Sequence, residues 1–341
     1  MRGLRSWWEY RVLFEPKDWI QVEVTSLCNA ACIYCPRTVY RKTWKDRSLP
    51  LGLFERLIPA FGNADLVYLQ GWGEPLLHPQ LPAMVALAKT AGARVGATTN
   101  GMLLDAARAK ALVEAGLDIL AFSLAGTSAA YNDHIRGGTR METILGKISL
   151  METVKRQCGR RTPVMHIAYM LLASGVAEIQ RLPELLAEIP VSQVVVSLLD
   201  FAPDESSAGE VLNPATEIQR DALKTIFDRL RAAGKAMDIV IHTPRLLPVA
   251  HRDSCSENIQ RALCVSAEGD VSPCVLTNLP VTGEGYCGEG RNRSCRHLIF
   301  GNIQEDLLPV IWRNPAYVSW REAHAAGAVP DSCAGCDKLL R

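Results

Sequence analysis

The segment Trp19-Ile-Gln-Val-Glu-Val-Thr25, followed after two residues by Cys28-Asn-Ala-Ala-Cys32-Ile-Tyr-Cys35, decides the fold of this chain. Its first part alternates with a period of two, which predicts a β-strand leading into three cysteines spaced C-x3-C-x2-C. In a 4Fe–4S cluster held by three thiolates, one iron has no protein ligand and can bind a substrate or cofactor. Structural zinc sites use four ligands, so the spacing favours an iron–sulfur cluster. Three buried core cysteines are the alternative.

The composition limits the classes of partner and the cellular compartment that we expect for this protein. Lys and Arg number 37 and Asp and Glu 36 among 341 residues, so the net charge is +1 and no strong field attracts a nucleic acid or a membrane surface. No apolar run approaches the roughly 20 residues that span a bilayer, and the N-terminus lacks a signal peptide, so a cytoplasmic protein is expected. The 11 cysteines are clustered, which favours metal ligation over disulfides.

Strand and helix patterns alternate after the cysteine loop. Further strands are predicted at 66–70, 94–98, 119–124, 164–171 and 193–199, and helices near 53–60, 79–91, 103–115, 141–157, 177–188 and 215–233. One more strand is expected at 236–242. Repeated βα units imply a parallel sheet with right-handed crossovers. The six main strands would bring their following loops to one rim, where a barrel carries its functional residues.

The cysteine spacing, with Tyr34 before the third cysteine, resembles the signature of the radical S-adenosylmethionine (radical SAM) enzymes. The resemblance implies an α/β fold, a partial (β/α)6 barrel of the TIM type, which we place at residues 20–240 after an aromatic leader at 1–19. It also implies that Cys28, Cys32 and Cys35 hold a 4Fe–4S cluster whose open iron is chelated by SAM. Reductive cleavage would then yield methionine and a 5′-deoxyadenosyl radical that abstracts a substrate hydrogen.

Loops after the predicted strands extend the resemblance. Gly71-Trp-Gly-Glu-Pro75 is similar to the family's GGEP motif, with Trp72 in place of a glycine. Thr98-Thr-Asn-Gly101 resembles a TNG turn, Ser123-Leu-Ala-Gly-Thr127 an S-x-D-G segment with Ala125 for Asp, and His134-Ile-Arg-Gly-Gly138 an I-R-G-G turn. The cofactor-binding residues implied are Tyr34, Gly73, Glu74, Pro75, Asn100, Ser123 and Arg136. For Arg136, pairing with a neighbouring acid is the alternative.

Two side chains on the predicted strands are candidates for catalysis. Asp200 ends the sixth strand at the functional rim, where an acid can contact substrate or act as a base. His166, on the fifth strand, is predicted to point away from the apolar face, and its alternative is a hydrogen-bonded core histidine. The basic loop at 36–50 can meet an anionic substrate or remain solvated.

The cysteines near the C-terminus indicate a second metal-binding module at 250–341. They are Cys255, Cys264, Cys274, Cys287, Cys295, Cys333 and Cys336. The expected glycine hairpin at Gly269, the stretch Gly301-Asn-Ile, and the final C-x2-C pair resemble the SPASM/twitch domain of some radical SAM enzymes.

This second resemblance implies that Cys255, Cys274, Cys333 and Cys336 hold an auxiliary 4Fe–4S cluster or a zinc ion, with Cys264 as the competing first ligand. Because the sequence ends five residues after Cys336, the shorter twitch form with one auxiliary cluster is expected. For Cys287 and Cys295, a role as extra ligands, as substrate-facing thiols or as bystanders remains open.

These features together predict a radical SAM oxidoreductase or maturase with an auxiliary cluster for electron transfer. A peptide or protein substrate is favoured, because many SPASM/twitch relatives modify peptides. The alternative is a dehydrogenase or epimerase acting on a small molecule such as a sugar or a cofactor precursor. A flavodoxin- or ferredoxin-type reductant is the expected partner. A non-catalytic iron–sulfur electron carrier would explain the cysteines but not the SAM-binding loops.

Overall fold

The structure, a computed structural model, covers most of the chain. The described residues are 14–15, 17–212, 214, 216–244, 246, 255, 257–281, 285–288, 291–294, 297–333, 336 and 338, with the backbone alone for 286–288 and 291–294. The leader expected at 1–19 lies mostly outside these residues, and Cys295 lies outside them entirely.

A ten-stranded sheet forms the centre of the molecule. The strands in chain order are β1 (Lys17–Val22), β2 (Ala31–Cys32), β3 (Ala64–Leu69), β4 (Arg94–Thr99), β5 (Ile119–Leu124), β6 (Arg136–Gly137), β7 (Val164–Leu171), β8 (Gln193–Leu198), β9 (Val240–His242), β10 (Ala262–Val265), β11 (Asp270–Ser272), β12 (Gly285–Gly288), β13 (Arg291–Ser294) and β14 (Gly301–Asn302). Ten of these strands form the large sheet, in the order β14-β11-β10-β1-β3-β4-β5-β7-β8-β9.

The six predicted barrel strands are parallel neighbours, β1, β3, β4, β5, β7 and β8, and β9 adds a further parallel strand beside β8. Along β7 every second residue, from Met165 to Leu171, is buried, whereas His166, Ala168 and Met170 lie on the other, half-exposed face. The order of the strands does not close on itself within the described part of the chain. The predicted partial barrel is therefore confirmed.

Helices pack on the sheet through their apolar faces. In chain order they are α1 (Pro36–Val39), α2 (Leu51–Glu55), α3 (Ile58–Phe61), α4 (Leu81–Thr90), α5 (Ala106–Glu114), α6 (Ala129–Ile135), α7 (Met141–Gln157), α8 (Leu182–Leu186), α9 (Glu205–Ala208), α10 (Glu217–Ala236), α11 (Leu308–Trp312) and α12 (Pro315–Ala325). Met84, Val85 and Ala88 of α4, at helical spacing, are buried in the main core.

The first strand ends three residues earlier than predicted, at Val22 instead of Thr25. Beyond Val22 the backbone pairs with a different segment, because the Leu49 amide donates to the Val24 carbonyl at 2.9 Å and the Ser26 amide donates to the Arg47 carbonyl at 2.8 Å. These hydrogen bonds turn the chain off the sheet just before the cysteine loop.

The predicted helices at 53–60 and 177–188 are both interrupted at a proline. Pro59 lies in the first turn of α3, so α2 ends at Glu55 and a new helix begins. Pro183 likewise lies in the first turn of α8, after a short 3-10 helix at Glu178–Arg181. The prediction missed α6, which Ser128 caps by accepting from the Tyr131 amide.

The C-terminal module adds its first strand to the edge of the barrel. Strand β10 runs parallel to β1, with Ala262 opposite Trp19. Strands β10 and β11 form the hairpin predicted at Gly269, whose φ of +89° favours glycine. The boundary proposed at 240–250 thus divides two segments of sequence whose strands share one sheet. No helix in the described residues is both long enough and apolar enough to cross a membrane.

Candidate functional site

A cavity of about 430 Å³ opens at the carboxyl ends of the barrel strands. Residues predicted for the site that line it are Cys28, Cys32, Cys35, Tyr34, Gly73, Glu74, Asn100, Ser123, Arg136, Asp200 and Cys274. Pro75 lies next to it, at the start of a short 3-10 helix, Pro75–Leu77. The fold therefore brings the predicted SAM-binding loops to one place, because the carboxyl ends of parallel strands meet at one rim.

The cysteine loop is held by backbone hydrogen bonds. The Cys35 amide donates to the Cys32 carbonyl at 3.1 Å, and the Ala30 amide donates to the Cys28 sulfur at 3.4 Å. The short strand β2 pairs antiparallel with β6, so Cys32 lies opposite Arg136. Burial raises the pKa of the Cys35 thiol to about 12. Cysteine thiols are deprotonated on binding iron, and the three cysteines of this loop line the cavity together, which fits the expected cluster.

Arg136 offers a buried cation to a ligand in the cavity. Its Nη1 donates to the Tyr34 hydroxyl at 2.7 Å, while its Nε is buried and has no hydrogen-bond partner among the described residues. A buried guanidinium with an unused donor suits a carboxylate. This geometry fits the SAM carboxylate, the first of the two roles that the sequence allows for Arg136.

Glu74 joins two of the predicted SAM-binding loops. Its carboxylate accepts hydrogen bonds from the Leu76 amide at 3.1 Å, the Thr99 hydroxyl at 2.7 Å and the Asn100 amide at 2.6 Å. Burial raises the pKa of Glu74, although these donors oppose the rise. The described contacts of Glu74 thus position the loops of Gly73 and Asn100 relative to one another. Asn100 in turn donates to the Asn29 side chain in the cysteine loop at 2.8 Å.

Gly73 and Trp72, in the Gly71–Pro75 segment, make different contacts with their surroundings. A Cβ on Gly73 would lie 2.2 Å from the Thr25 carbonyl oxygen and 2.5 Å from that of Leu27, so glycine is required there. Trp72 packs edge-to-face on Trp44, with ring centroids 6.5 Å apart. Its indole belongs to a second apolar cluster, whose buried members are Tyr40, Phe201, Leu279 and Val281. This cluster joins the barrel loops to the C-terminal module.

Glu23, which the sequence analysis missed, links the two modules through buried hydrogen bonds. One carboxylate oxygen accepts from the Trp72 amide at 2.7 Å, and the other accepts from the Ala267 amide at 3.2 Å. Burial raises the pKa of Glu23 to about 7, although both backbone donors lower it. The signal in the sequence was an acid between two valines of the predicted first strand.

Replacing Glu23 with glutamine should change how stability depends on pH. The pKa of Glu23 rises from 4.5 in the unfolded chain to about 7 in the folded protein. Its contribution to stability is therefore present below pH 4.5 and is lost as the pH rises through 7. Across this range the wild type should lose about 3 kcal/mol of unfolding free energy relative to Glu23→Gln, measured by denaturant titration. Parallel pH profiles of the two proteins would contradict this assignment.

Of the described cysteines of the C-terminal module, Cys274 lines the same cavity. Burial raises the pKa of the Cys255 thiol to about 12, and the charges of Cys274 and Cys333 add to the rise. Cys255 thus lies within electrostatic reach of two other predicted ligands. Cys264 is buried in β10 and has Cys274 as its neighbouring thiol. The Cys336 amide donates to the Cys333 carbonyl at 3.0 Å, which closes the turn of the final pair.

Of the two catalytic candidates, the structure brings Asp200 to the cavity and not His166. Asp200 forms an ion pair with Lys338, whose Nζ lies 2.6 Å from Oδ2. His166 lies among the barrel residues near His242 and Arg94, and burial lowers its pKa. Its Cα partner on β5 is Ala121, two residues before the cavity-lining Ser123. Cys287 lies on β12, and its side chain falls outside the described residues.

The basic loop is partly neutralised by neighbouring acids. Arg37 pairs with Asp46 at 3.4 Å, and Arg47 pairs with Glu268 at 3.0 Å. Arg41, Lys42 and Lys45 are exposed. This arrangement agrees with a largely solvated loop.

Family models match both halves of this site. The model of the radical SAM superfamily matches residues 22–166, which include the cysteine loop and the predicted SAM-binding loops. The chain belongs to the radical SAM superfamily. The model of an iron–sulfur cluster-binding domain, SPASM, matches residues 255–337. The protein is thus a radical SAM enzyme with a SPASM domain, and its cofactors are SAM and 4Fe–4S clusters. The predicted family, fold and cofactors are confirmed.

This radical SAM protein is similar over most of its length to two curated relatives. It is 25% identical over 332 residues to the tungsten-containing aldehyde ferredoxin oxidoreductase cofactor-modifying protein of Pyrococcus furiosus, and the match covers 93% of this chain and 86% of that protein. It is 23% identical over 331 residues to the PqqA peptide cyclase of Ruegeria pomeroyi, with 93% of this chain and 79% of that protein covered.

Crystal structures of SuiB from Streptococcus suis have the same fold. The structure bound to S-adenosylmethionine superposes with a TM-score of 0.67 at 12% identity, covering 96% of this chain and 72% of SuiB. The structure bound to the precursor peptide SuiA superposes with a TM-score of 0.65 at 14% identity, covering 97% and 72%. At such identities the likeness establishes the architecture alone.

Proposed function

We propose that this radical SAM protein modifies or oxidises a peptide or a short protein segment, as an oxidoreductase or maturase. The observation that carries the proposal is that the Cys28–Cys35 loop and Cys274 of the SPASM domain line one cavity. A substrate bound there contacts both cysteine-bearing regions. A peptide agrees with the name of the PqqA peptide cyclase and with the SuiA peptide bound to SuiB.

The residues of the cavity bind and orient the reactants. When bound, SAM and the cluster on Cys28, Cys32 and Cys35 supply a 5′-deoxyadenosyl radical, and an auxiliary cluster supplies a site for electron transfer. Arg136 holds the SAM carboxylate, and Glu74 keeps the surrounding loops in register. Asp200 faces the substrate, where its carboxylate is placed to accept a proton.

For the auxiliary cluster we propose Cys255, Cys274, Cys333 and Cys336 as ligands. Negative charge on Cys274 and on Cys333 raises the pKa of Cys255. Among the described thiols, Cys274 alone contributes in this way to the raised pKa of Cys264. This difference supports Cys255 over Cys264 as the first ligand.

A flavodoxin- or ferredoxin-type reductant is the proposed electron donor. The cysteine loop reaches the surface at Asn29, Ala31 and Ile33, which alternate with buried residues. Ile33 exposes 36% of its surface beside the ligand Cys32. A small electron carrier can therefore approach the loop from outside while the substrate occupies the cavity.

A small-molecule substrate such as a cofactor precursor is the second candidate. The Pyrococcus furiosus relative is named for modifying a cofactor. The cavity volume of about 430 Å³ also lies in the range typical of small-molecule sites.

Deoxyadenosine formation with fractionated lysate decides between the two candidates. The reduced enzyme with SAM is incubated with a peptide fraction, the same fraction digested with protease, or a small-molecule fraction. We expect stimulation by the peptide fraction that protease abolishes. Stimulation that resists protease and is confined to the small-molecule fraction would overturn the peptide proposal. The Cys28, Cys32 and Cys35 triple alanine variant provides the background.

A further inference from the structure

Three charged side chains meet on the wall of the cavity. Lys338 Nζ lies 2.6 Å from Asp200 Oδ2 and 2.6 Å from Glu257 Oε1. All three residues line the cavity that also contains Cys274. Glu257 follows Cys255 by two residues, and Lys338 follows Cys336 by two residues. The ion pairs therefore tie two ligand-bearing segments of the SPASM domain to the end of strand β8.

The cost of burying these charges points to a role beyond stability. The exposed fractions of the Lys338, Asp200 and Glu257 side chains are 22%, 13% and 31%. Partly buried ion pairs of this kind contribute little net stability, because desolvation offsets the attraction. The Lys338 ammonium contacts the carboxylates of both Asp200 and Glu257. Lys338 thus remains a cation in the cavity wall.

The electrostatic neighbours of this cation are the thiols of the SPASM domain. Glu257 and Lys338 each lie two residues after a proposed ligand, and both line the cavity together with Cys274. Lys338 touches Glu257 directly, so its positive charge lies in the same region. Removing Lys338 would take one positive charge from beside the carboxylates of Asp200 and Glu257.

We propose that Lys338 is a positioning residue that raises the midpoint potential of the auxiliary cluster and so favours electron uptake from the substrate side. The inference rests on the proposed auxiliary cluster. Reduction adds one negative charge to a cluster, and a nearby cation stabilises that reduced form. In a partly buried site with an effective dielectric far below that of water, one unit charge close to a cluster shifts the equilibrium between its oxidised and reduced forms measurably. Nearby anions act in the opposite direction.

The test is an EPR-monitored redox titration of the reconstituted holoenzyme. Addition of SAM changes the signal of the cluster on Cys28, Cys32 and Cys35, so the signal that SAM leaves unchanged belongs to the auxiliary cluster. We expect Lys338→Met to shift the auxiliary potential to more negative values and Glu257→Gln to shift it to more positive values. Lys338→Arg, which keeps the charge, should restore the wild-type potential.

Lys110→Met is the matched control, since Lys110 is 63% exposed on α5 and pairs with Glu114. It removes the same charge and should leave the potential unchanged. If Lys338→Met and Glu257→Gln shift the potential in the same direction, or if neither shifts it while the iron content stays at the wild-type level, the proposal is wrong. If the Lys338→Met variant does not bind iron, the shift in potential of the Glu257→Gln variant alone tests the proposal. A wild-type iron content of about four per chain would overturn the auxiliary cluster itself, and this inference with it.

Discussion

Replacing Cys28, Cys32 and Cys35 together with alanine is expected to reduce the iron content from about eight to about four per chain. The same variant should form no 5′-deoxyadenosine from SAM under anaerobic reduction. Both losses have one cause, because these three thiols share the loop that lines the cavity with Arg136. Iron and sulfide analysis and chromatography of the reaction mixture measure the two effects.

The matched control for this variant is Cys158→Ala. Cys158 is a free, half-buried thiol at the C-terminal end of α7, outside both proposed ligand sets. It should retain the wild-type iron content and the wild-type deoxyadenosine yield. If the triple variant still binds about eight irons, the cysteine loop is not a cluster site. A wild-type protein that yields S-adenosylhomocysteine and no deoxyadenosine would contradict the assigned chemistry.

Replacing Gly73 with alanine is expected to disrupt the SAM-binding loop and to destabilise the fold around it. The new Cβ would lie 2.2 Å from the Thr25 carbonyl oxygen, and this backbone cannot move without displacing the segment before Cys28. Overpacking of this kind costs about 3 kcal/mol or more. The melting temperature and the SAM affinity, measured by equilibrium dialysis, should both fall.

Gly146→Ala controls for the added methyl group. Gly146 lies in the middle of α7, and a Cβ there would meet no atom within 4 Å. Because alanine favours a helix over glycine, this variant should be neutral or more stable by up to about 1 kcal/mol, with unchanged SAM affinity. If Gly73→Ala has the same melting temperature and SAM affinity as Gly146→Ala, then Gly73 does not pack closely on the segment before the cysteine loop.

Glu23 and Lys338 each connect the barrel with the SPASM domain. Glu23 connects the Trp72 amide of a predicted SAM-binding loop with the Ala267 amide of the SPASM hairpin. Lys338 connects Asp200 at the barrel rim with Glu257 beside Cys255. Both contacts join the barrel to the SPASM domain. Strand β10 also pairs with β1 of the barrel. The cavity is therefore shaped by the two modules together.

Local patterns in the sequence were sufficient for most of the barrel and for the cysteine loop. The spacing of Cys28, Cys32 and Cys35 is a property of eight consecutive residues, so it can be read without knowing the fold. The alternation along 164–171 likewise predicted β7 with its correct bounds. Where local signals conflicted, the prediction failed: an otherwise helical pattern at 53–60 contains Pro59, and the proline divides the helix.

The residues that only the tertiary structure identified act through contacts between distant parts of the chain. Nothing near Lys338 in the sequence shows that its ammonium meets Asp200, because that contact exists only after β8 and the SPASM domain have folded against each other. The same holds for Glu23 and Ala267 and for the pairing of β10 with β1. The sequence by itself determined the main barrel strands and the spacing of the cysteine loop, because hydrophobic period and ligand spacing are local. The tertiary structure decided how the two modules share one sheet and one cavity, because hydrogen bonds and ion pairs between distant segments depend on the folded positions of both partners.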